Sequence, residues 1–205
     1  MDARVAINQL LDDSETRLYG HVSTDRGGPT HSGITQKTYD NWRLAYGLPM
    51  RSVQYLTPEE MYAIYTYEYW FPAGGGRLPD GLDYAVFQAG VNFGPPQGVK
   101  MLQKVLGVTQ DGIVGPKTLA AVAAVDKTAL IAAFFEEQKA RYNLFVQNNP
   151  DQIVNLKGWN NRIALAAQFI ASHKRTIGLG LALVVTALLV TQNLKTNGAY
   201  HGSFI

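Results

Sequence analysis

The sequence predicts a mainly α fold with one possible short β-ribbon near residues 18–24. Three observations carry this expectation. Apolar residues recur at helical spacing through most of the chain. Several of those stretches open on a capping residue and close on glycine. No series of alternating apolar and polar runs marks a larger sheet.

The elements follow in order. ARVAINQLLD (3–12) sets Val5, Ile7, Leu10 and Leu11 at helical spacing. ETRLYGHVSTDRGGPTHSGIT (15–35) is neither helical nor cleanly alternating, and its Gly27-Gly28-Pro29 marks a turn. Thr35 is placed to N-cap a helix through QKTYDNWRLAYG, closed by Gly47. TPEEMYAIYTYEYW has Thr57 as cap, Pro58 at the first helical position and Glu60 three residues after the cap, the pattern of a capping box. That helix is expected to reach Trp70 with a tyrosine-rich face. FPAGGGRLPDG reads as a loop, and LDYAVFQAGVNFG as an apolar helix stopped at Gly94-Pro95-Pro96. QGVKMLQKVLG is amphipathic and closed by Gly107, and VTQDGIVG is a turn. PKTLAAVAAV, KTALIAAFFEEQKARYNLFVQN and WNNRIALAAQFIASH complete the helical series.

Composition narrows the function classes. A chain of 205 residues holds one core, with room for a small appendage. With 46% hydrophobic and 17% charged residues, general disorder is excluded. Eighteen Lys and Arg against 16 Asp and Glu leave +2, too balanced for a nucleic-acid partner. There is no cysteine, hence no disulfide, thiol nucleophile or thiolate metal site. The four histidines (His21, His31, His173, His201) are scattered without ligand spacing, so neither metal nor cofactor is expected.

The two ends differ. MDARVAINQLLDD lacks a basic segment followed by an apolar one, so no signal peptide is expected. TIGLGLALVVTALLVTQNL (176–194) carries no charge, and at about 1.5 Å per residue it just crosses a hydrocarbon core of about 30 Å. It is expected to be a transmembrane helix, followed by a short tail at 195–205, with Lys174 and Arg175 favouring the inner side.

Glu15, Asp25 and Thr30 are the best local set for chemistry. A glycoside hydrolase working by acid–base catalysis needs one carboxyl that stays protonated to donate to the leaving oxygen. It needs a second group to hold or activate water, or to attack the sugar. On residue types alone a surface charge and a turn residue explain Glu15 and Asp25 more simply.

The surrounding motifs shift that balance. DRGGPTHSGITQKTYDNWR (25–43) resembles the N-acetylmuramidases of glycoside hydrolase family 108. Members of that family carry Glu-Gly-Gly-Tyr and then Asp-x-Gly-Gly-x-Thr-x-x-Gly-Ile-Thr. LTPEEMYAIYTYEYW (56–70) is similar to the family's segment ending in Tyr-Trp. GVNFG (90–94) and KMLQKVLGVTQDGIVGPKTL (100–119) are similar to its C-terminal peptidoglycan-binding region, and GWNNR (158–162) to its closing Gly-Trp-x-x-Arg. The resemblance covers most of residues 10–172 in order. It implies a lysozyme-like muramidase domain over 1–172, of which about 90–170 resembles the peptidoglycan-binding region. Relatives include phage endolysins and secretion activators. One departure stands out: Glu15 is followed by Thr16-Arg17-Leu18-Tyr19, one residue longer than the family pattern and without its two glycines. Asp12 and Asp13 are therefore the alternatives to Glu15.

The resemblance implies Glu15 as general acid and Asp25 with Thr30 handling water. Tyr19, Trp70 and Asn92 are the implied substrate contacts. Within the aromatic set Tyr62, Tyr65, Tyr67, Tyr69 and Trp70, most rings are expected to pack the core, although such rings also suit pyranose faces. Glu136 and Glu137, among Lys139 and Arg141, read as a solvated face. The implied function is cleavage of the β-1,4 bond between N-acetylmuramic acid and N-acetylglucosamine in bacterial peptidoglycan. A lytic transglycosylase, or a catalytically degenerate, membrane-anchored wall-binding protein, is the alternative. The expected partners are peptidoglycan and, through 176–194, a membrane. The expected place of action is periplasmic peptidoglycan, in a phage virion, a phage-infected host or a bacterium that exports the protein by a secretion system.

Overall fold

The computed structural model describes residues 1–14, 19–20 and 28–173. Glu15, Asp25 and the expected membrane segment at 176–194 lie outside the described residues. Among the described residues no single helix is long and apolar enough to cross a membrane. The fold is mainly helical with a small three-stranded sheet. The chain divides into two compact units, Met1–Lys100 with Asp111–Val114, and Met101–Gln110 with the chain from Gly115 onward.

The first unit opens with α1 (Ala3–Ser14), which buries Ala6, Ile7, Leu10 and Leu11 on one face. Three two-residue strands follow: β1 (Tyr19–Gly20), β2 (Thr30–His31) and β3 (Ile34–Thr35), antiparallel in the order β1-β2-β3. Ser32 (φ 49°) and Gly33 (φ 74°) join β2 to β3. Positive φ at both central residues is the turn geometry that matches strand twist. α2 (Gln36–Ala45) starts where expected, with the Thr35 hydroxyl accepting from the Thr38 amide. Gly47, at φ 66°, follows its end.

α3 (Pro58–Ile64) carries the expected capping box: Thr57 caps the Glu60 amide and Glu60 returns a bond to the Thr57 amide. The helix ends at Trp70 as the sequence pattern suggests, but its second half is not α. Tyr65–Trp70 widens into a π-helix, and the Phe71 amide donates to Thr66 O, five residues back. α4 (Leu82–Phe93) is buried without interruption from Leu82 to Gly90, which makes it the central helix of this unit. The Gly94-Pro95-Pro96 break is real, but it is also a start. α5 (Pro95–Leu106) begins at Pro95, since proline in a first turn has no hydrogen bond to lose. Gly98 lets α5 lie against α4, for a Cβ there would sit 2.9 Å from Val86 O.

In the second unit, the end of α5 is followed by α6 (Pro116–Ala123), α7 (Lys127–Asn148) and α8 (Ile153–His173). Asp126 caps α7 through the Ala129 amide. α7 and α8 pack together, burying Leu130, Ile131, Phe134 and Phe135 with Ile163, Ala166 and Ile170. A 3-10 turn at Pro150–Gln152 joins them, and α8 begins six residues earlier than WNNRIALAAQFIASH suggests. Inside the unit Gln103 donates to Thr118 at 3.1 Å, which satisfies two buried polar side chains.

Candidate functional site

The site is built around the small sheet and the end of α1. Antiparallel pairing sets Tyr19 opposite His31 and Gly20 opposite Thr30, while β3 sets Thr35 opposite Thr30. Successive strand residues point to opposite faces. Tyr19 therefore shares its face with His31, and their rings meet edge to face at 6.4 Å. Thr30 points the other way, with its hydroxyl 3.5 Å from Gly20 O. The sheet thus brings two of the expected site residues onto adjacent strands but not onto one face. Tyr19 is 42% exposed, open to a ligand on its side.

The rest of the first unit holds this sheet in place. Tyr65, buried in the π-helix, donates its hydroxyl to Ser32 O at 2.8 Å, at the left-handed turn between β2 and β3. His31 Nδ1 lies 3.1 Å from Val53 O. Beneath α2 and α3, the Glu60 carboxylate collects four partners. Arg43 and Arg51 each reach it at 2.5 Å, the Tyr39 hydroxyl donates at 2.7 Å, and the Thr57 amide donates at 3.1 Å. Burial alone would raise the Glu60 pKa, but the Tyr39 and Thr57 hydrogen bonds and the two arginines outweigh it and hold the carboxyl below its ordinary range.

Asp13 in the last turn of α1 is the described carboxyl best suited to chemistry. The Tyr84 hydroxyl donates to its Oδ2 at 2.9 Å and Gln9 Nε2 to its Oδ1 at 2.6 Å. Burial pushes its pKa up, against those two bonds, and the neighbouring Asp12 adds to the rise. Tyr84 comes from the central helix and is itself fully buried. The sequence flags Asp13 only as an alternative to Glu15, and it does not flag Tyr84 or Gln9. A tyrosine inside an otherwise apolar helix, whose hydroxyl needs a partner when buried, is the signal that finds Tyr84.

The remaining expected contacts are dispersed. Trp70 is a core residue, 2% exposed, with its edge against Phe87 at 5.4 Å. Gly75 lies directly on its ring, where a Cβ would come within 2.2 Å of ring atoms, so Trp70 offers no face to a sugar. Asn92 is exposed in the last turn of α4 and donates to Gln88 O at 2.9 Å. Of the aromatic set, Tyr65 is buried, Tyr62 bonds Asn8 at 2.6 Å under the Arg4 guanidinium, and Tyr67 is exposed. In the second unit Glu136 and Glu137 pair with Lys139 and Lys104, at 2.8 and 2.7 Å. Among the described residues no group of three or more metal-ligating side chains occurs.

Comparison with known proteins adds three findings. The family model described as glycosyl hydrolase 108 matches residues 9–94. The model described as a predicted peptidoglycan domain matches residues 97–164. The solved structure of SagA from Brucella abortus superposes with a TM-score of 0.74, at 31% identity over 86% of this chain and 98% of that one. No curated protein matches the sequence.

Proposed function

The chain belongs to the glycosyl hydrolase 108 family, and from that premise we propose that it cleaves the β-1,4 bond between N-acetylmuramic acid and N-acetylglucosamine in bacterial peptidoglycan. The carrying observation is the order of domains: a glycoside hydrolase module directly followed by a predicted peptidoglycan domain in one chain. That pairing supports a peptidoglycan hydrolase in general; the bond and the residue roles are our reading.

In this reading Glu15, next after the last residue of α1, is the general acid. It protonates the glycosidic oxygen as the bond to the anomeric carbon breaks. Asp25 and Thr30 hold the water that completes hydrolysis, with Thr30 supplied from β2. Asp13, held by Tyr84 and Gln9, fixes the end of α1 from which Glu15 follows. Asp13 is the first alternative for the acid, because burial already raises its pKa. We further propose that the 176–194 segment anchors the protein in a membrane; with Lys174 and Arg175 on its inner side, the units before it reach peptidoglycan either as part of a phage, when the membrane is holed, or through a bacterial secretion system.

The test is the chemistry of the new chain ends. Purified sacculi are digested with the full chain, reduced with borohydride and analysed by mass spectrometry. Reduced N-acetylmuramic acid ends are expected. Reduced N-acetylglucosamine ends would place the cut at the other bond, and anhydro-muramic ends would make the protein a lytic transglycosylase.

A further inference from the structure

The elbow between α7 and α8 carries a surface that the catalytic reading does not use. Trp159 on α8 stacks on Tyr142 of α7, with ring centroids 5.0 Å apart and planes 18° apart. Phe145, one turn further along α7, meets the same indole edge-on at 5.8 Å. Tyr142 is buried and serves as a floor, yet Phe145 is 45% exposed and Trp159 partly so. An aromatic pair on a rigid floor, left open to solvent, is the arrangement that packs against the apolar face of a ligand ring.

The surrounding chain says which ligand. From Tyr142 to Trp159 it holds two charged side chains of opposite sign, Asp151 and Lys157, and six amides. Three of those amides are tied to the elbow's own framework. Asn149 donates to Phe145 O at 2.9 Å, Gln152 to Asp151 at 2.6 Å, and Asn155 to Gln152 at 3.0 Å. Side-chain amides both donate and accept, which suits hydroxyl and acetamido groups rather than ions. A neutral ligand with apolar ring faces and polar edges is a sugar.

We infer that this elbow is a carbohydrate-contact surface that holds an amino-sugar of the glycan strand, with Phe145 and Trp159 against the ring and Asn149, Gln152 and Asn155 around its edge. The inference rests on the peptidoglycan reading above and assigns it a place within the second unit. The predicted peptidoglycan domain ends at residue 164, just beyond Trp159. A bilayer is the less suitable occupant. Trp159 stands 14 residues before His173 on α8, so even the ring nearest that end lies ~21 Å along the axis from where the chain continues towards 176–194.

The experiment is co-sedimentation of the full chain with purified sacculi in the cold. Every variant also carries Glu15→Gln, so that binding is read apart from cleavage. Phe145→Ser, exposed and outside the floor, is expected to weaken binding roughly five- to tenfold, the scale of one lost aromatic contact. Helical circular dichroism and melting temperature should stay as in the parent. Asn155→Ala, a helix-favouring change on an exposed position, keeps the test open should the first variant fold poorly. Binding equal to the parent in the folded variants overturns the inference. So does a loss confined to phosphatidylglycerol vesicles, or one confined to self-association in sedimentation velocity. If the wild-type chain releases no sugar from sacculi, the hydrolase reading fails, while the binding measurement still decides the elbow.

Discussion

Replacing Glu60 by alanine is the sharpest test of how the first unit holds its sheet. The Glu60 side chain is 15% exposed and Arg43 8%, so their pair is largely withdrawn from water. Arg51 is 36% exposed and contributes little by itself. Removing the carboxylate leaves Arg43 buried with its charge uncompensated, a loss of about 3–5 kcal/mol for a fully buried pair. Partial exposure lowers that towards ~3, and loss of the capping-box bond to the Thr57 amide adds about 1 kcal/mol to the cost. The expected total is ~4 kcal/mol, or roughly 10–15 °C in melting temperature for a chain of this size. Urea unfolding at neutral pH measures it. The acid side gives an independent check. The folded-state pKa of Glu60 lies below its ordinary value of 4.5. Its stabilisation is therefore present above 4.5 and is lost as pH falls through the folded pKa. The gap between wild type and Glu60→Ala should close in that window. A loss under about 1 kcal/mol at neutral pH, or a gap that persists in acid, would refute the network as described.

Further predictions follow from the same contacts. Tyr84→Phe removes one of the two bonds that lower the Asp13 pKa, so carboxyl titration followed by carbon NMR should show that pKa higher than in wild type. Because the folded-state pKa of Asp13 is already raised, its favourable contribution is present below the ordinary carboxylate pKa. It is lost as pH rises through the folded value, so Asp13→Asn should make stability fall less over that range. Gly75→Ala forces a methyl into the Trp70 ring and should cost about 2–3 kcal/mol, read as an earlier urea midpoint. Tyr65→Phe removes the hydroxyl that donates to Ser32 O; about 1 kcal/mol of stability and part of the hydrolytic rate should be lost together, because this bond helps hold the turn next to Thr30.

What the sequence shows in advance is what local chemistry determines. Thr35 and the Thr57–Glu60 box are legible because cap and partner lie three residues apart. Gly47 is legible because its positive φ suits glycine. The π-helix at Tyr65–Trp70 is not legible, since YTYEYW continues a helical pattern and the wider turn is settled by tertiary bonds such as Tyr65 to Ser32. Trp70 misleads for a different reason: an aromatic at the end of a tyrosine-rich face looks available until Gly75, in the turn that directly follows, folds back over it. The early start of α8 is hidden because Ile153 and Val154 are exposed and break the amphipathic pattern. Glu15 and Asp25 rest on the family resemblance, whereas Asp13 gains its role only once Tyr84, 71 positions away, is seen to hold it.

The most direct measurement compares release of reducing sugar from purified peptidoglycan by the full chain and by Glu15→Gln. With Glu15 as the general acid, wild type is active and the variant loses at least about 100-fold, with unchanged melting temperature. Equal activity in the two would contradict that assignment and move the acid to Asp13 or Asp12, to be tested next in the same assay.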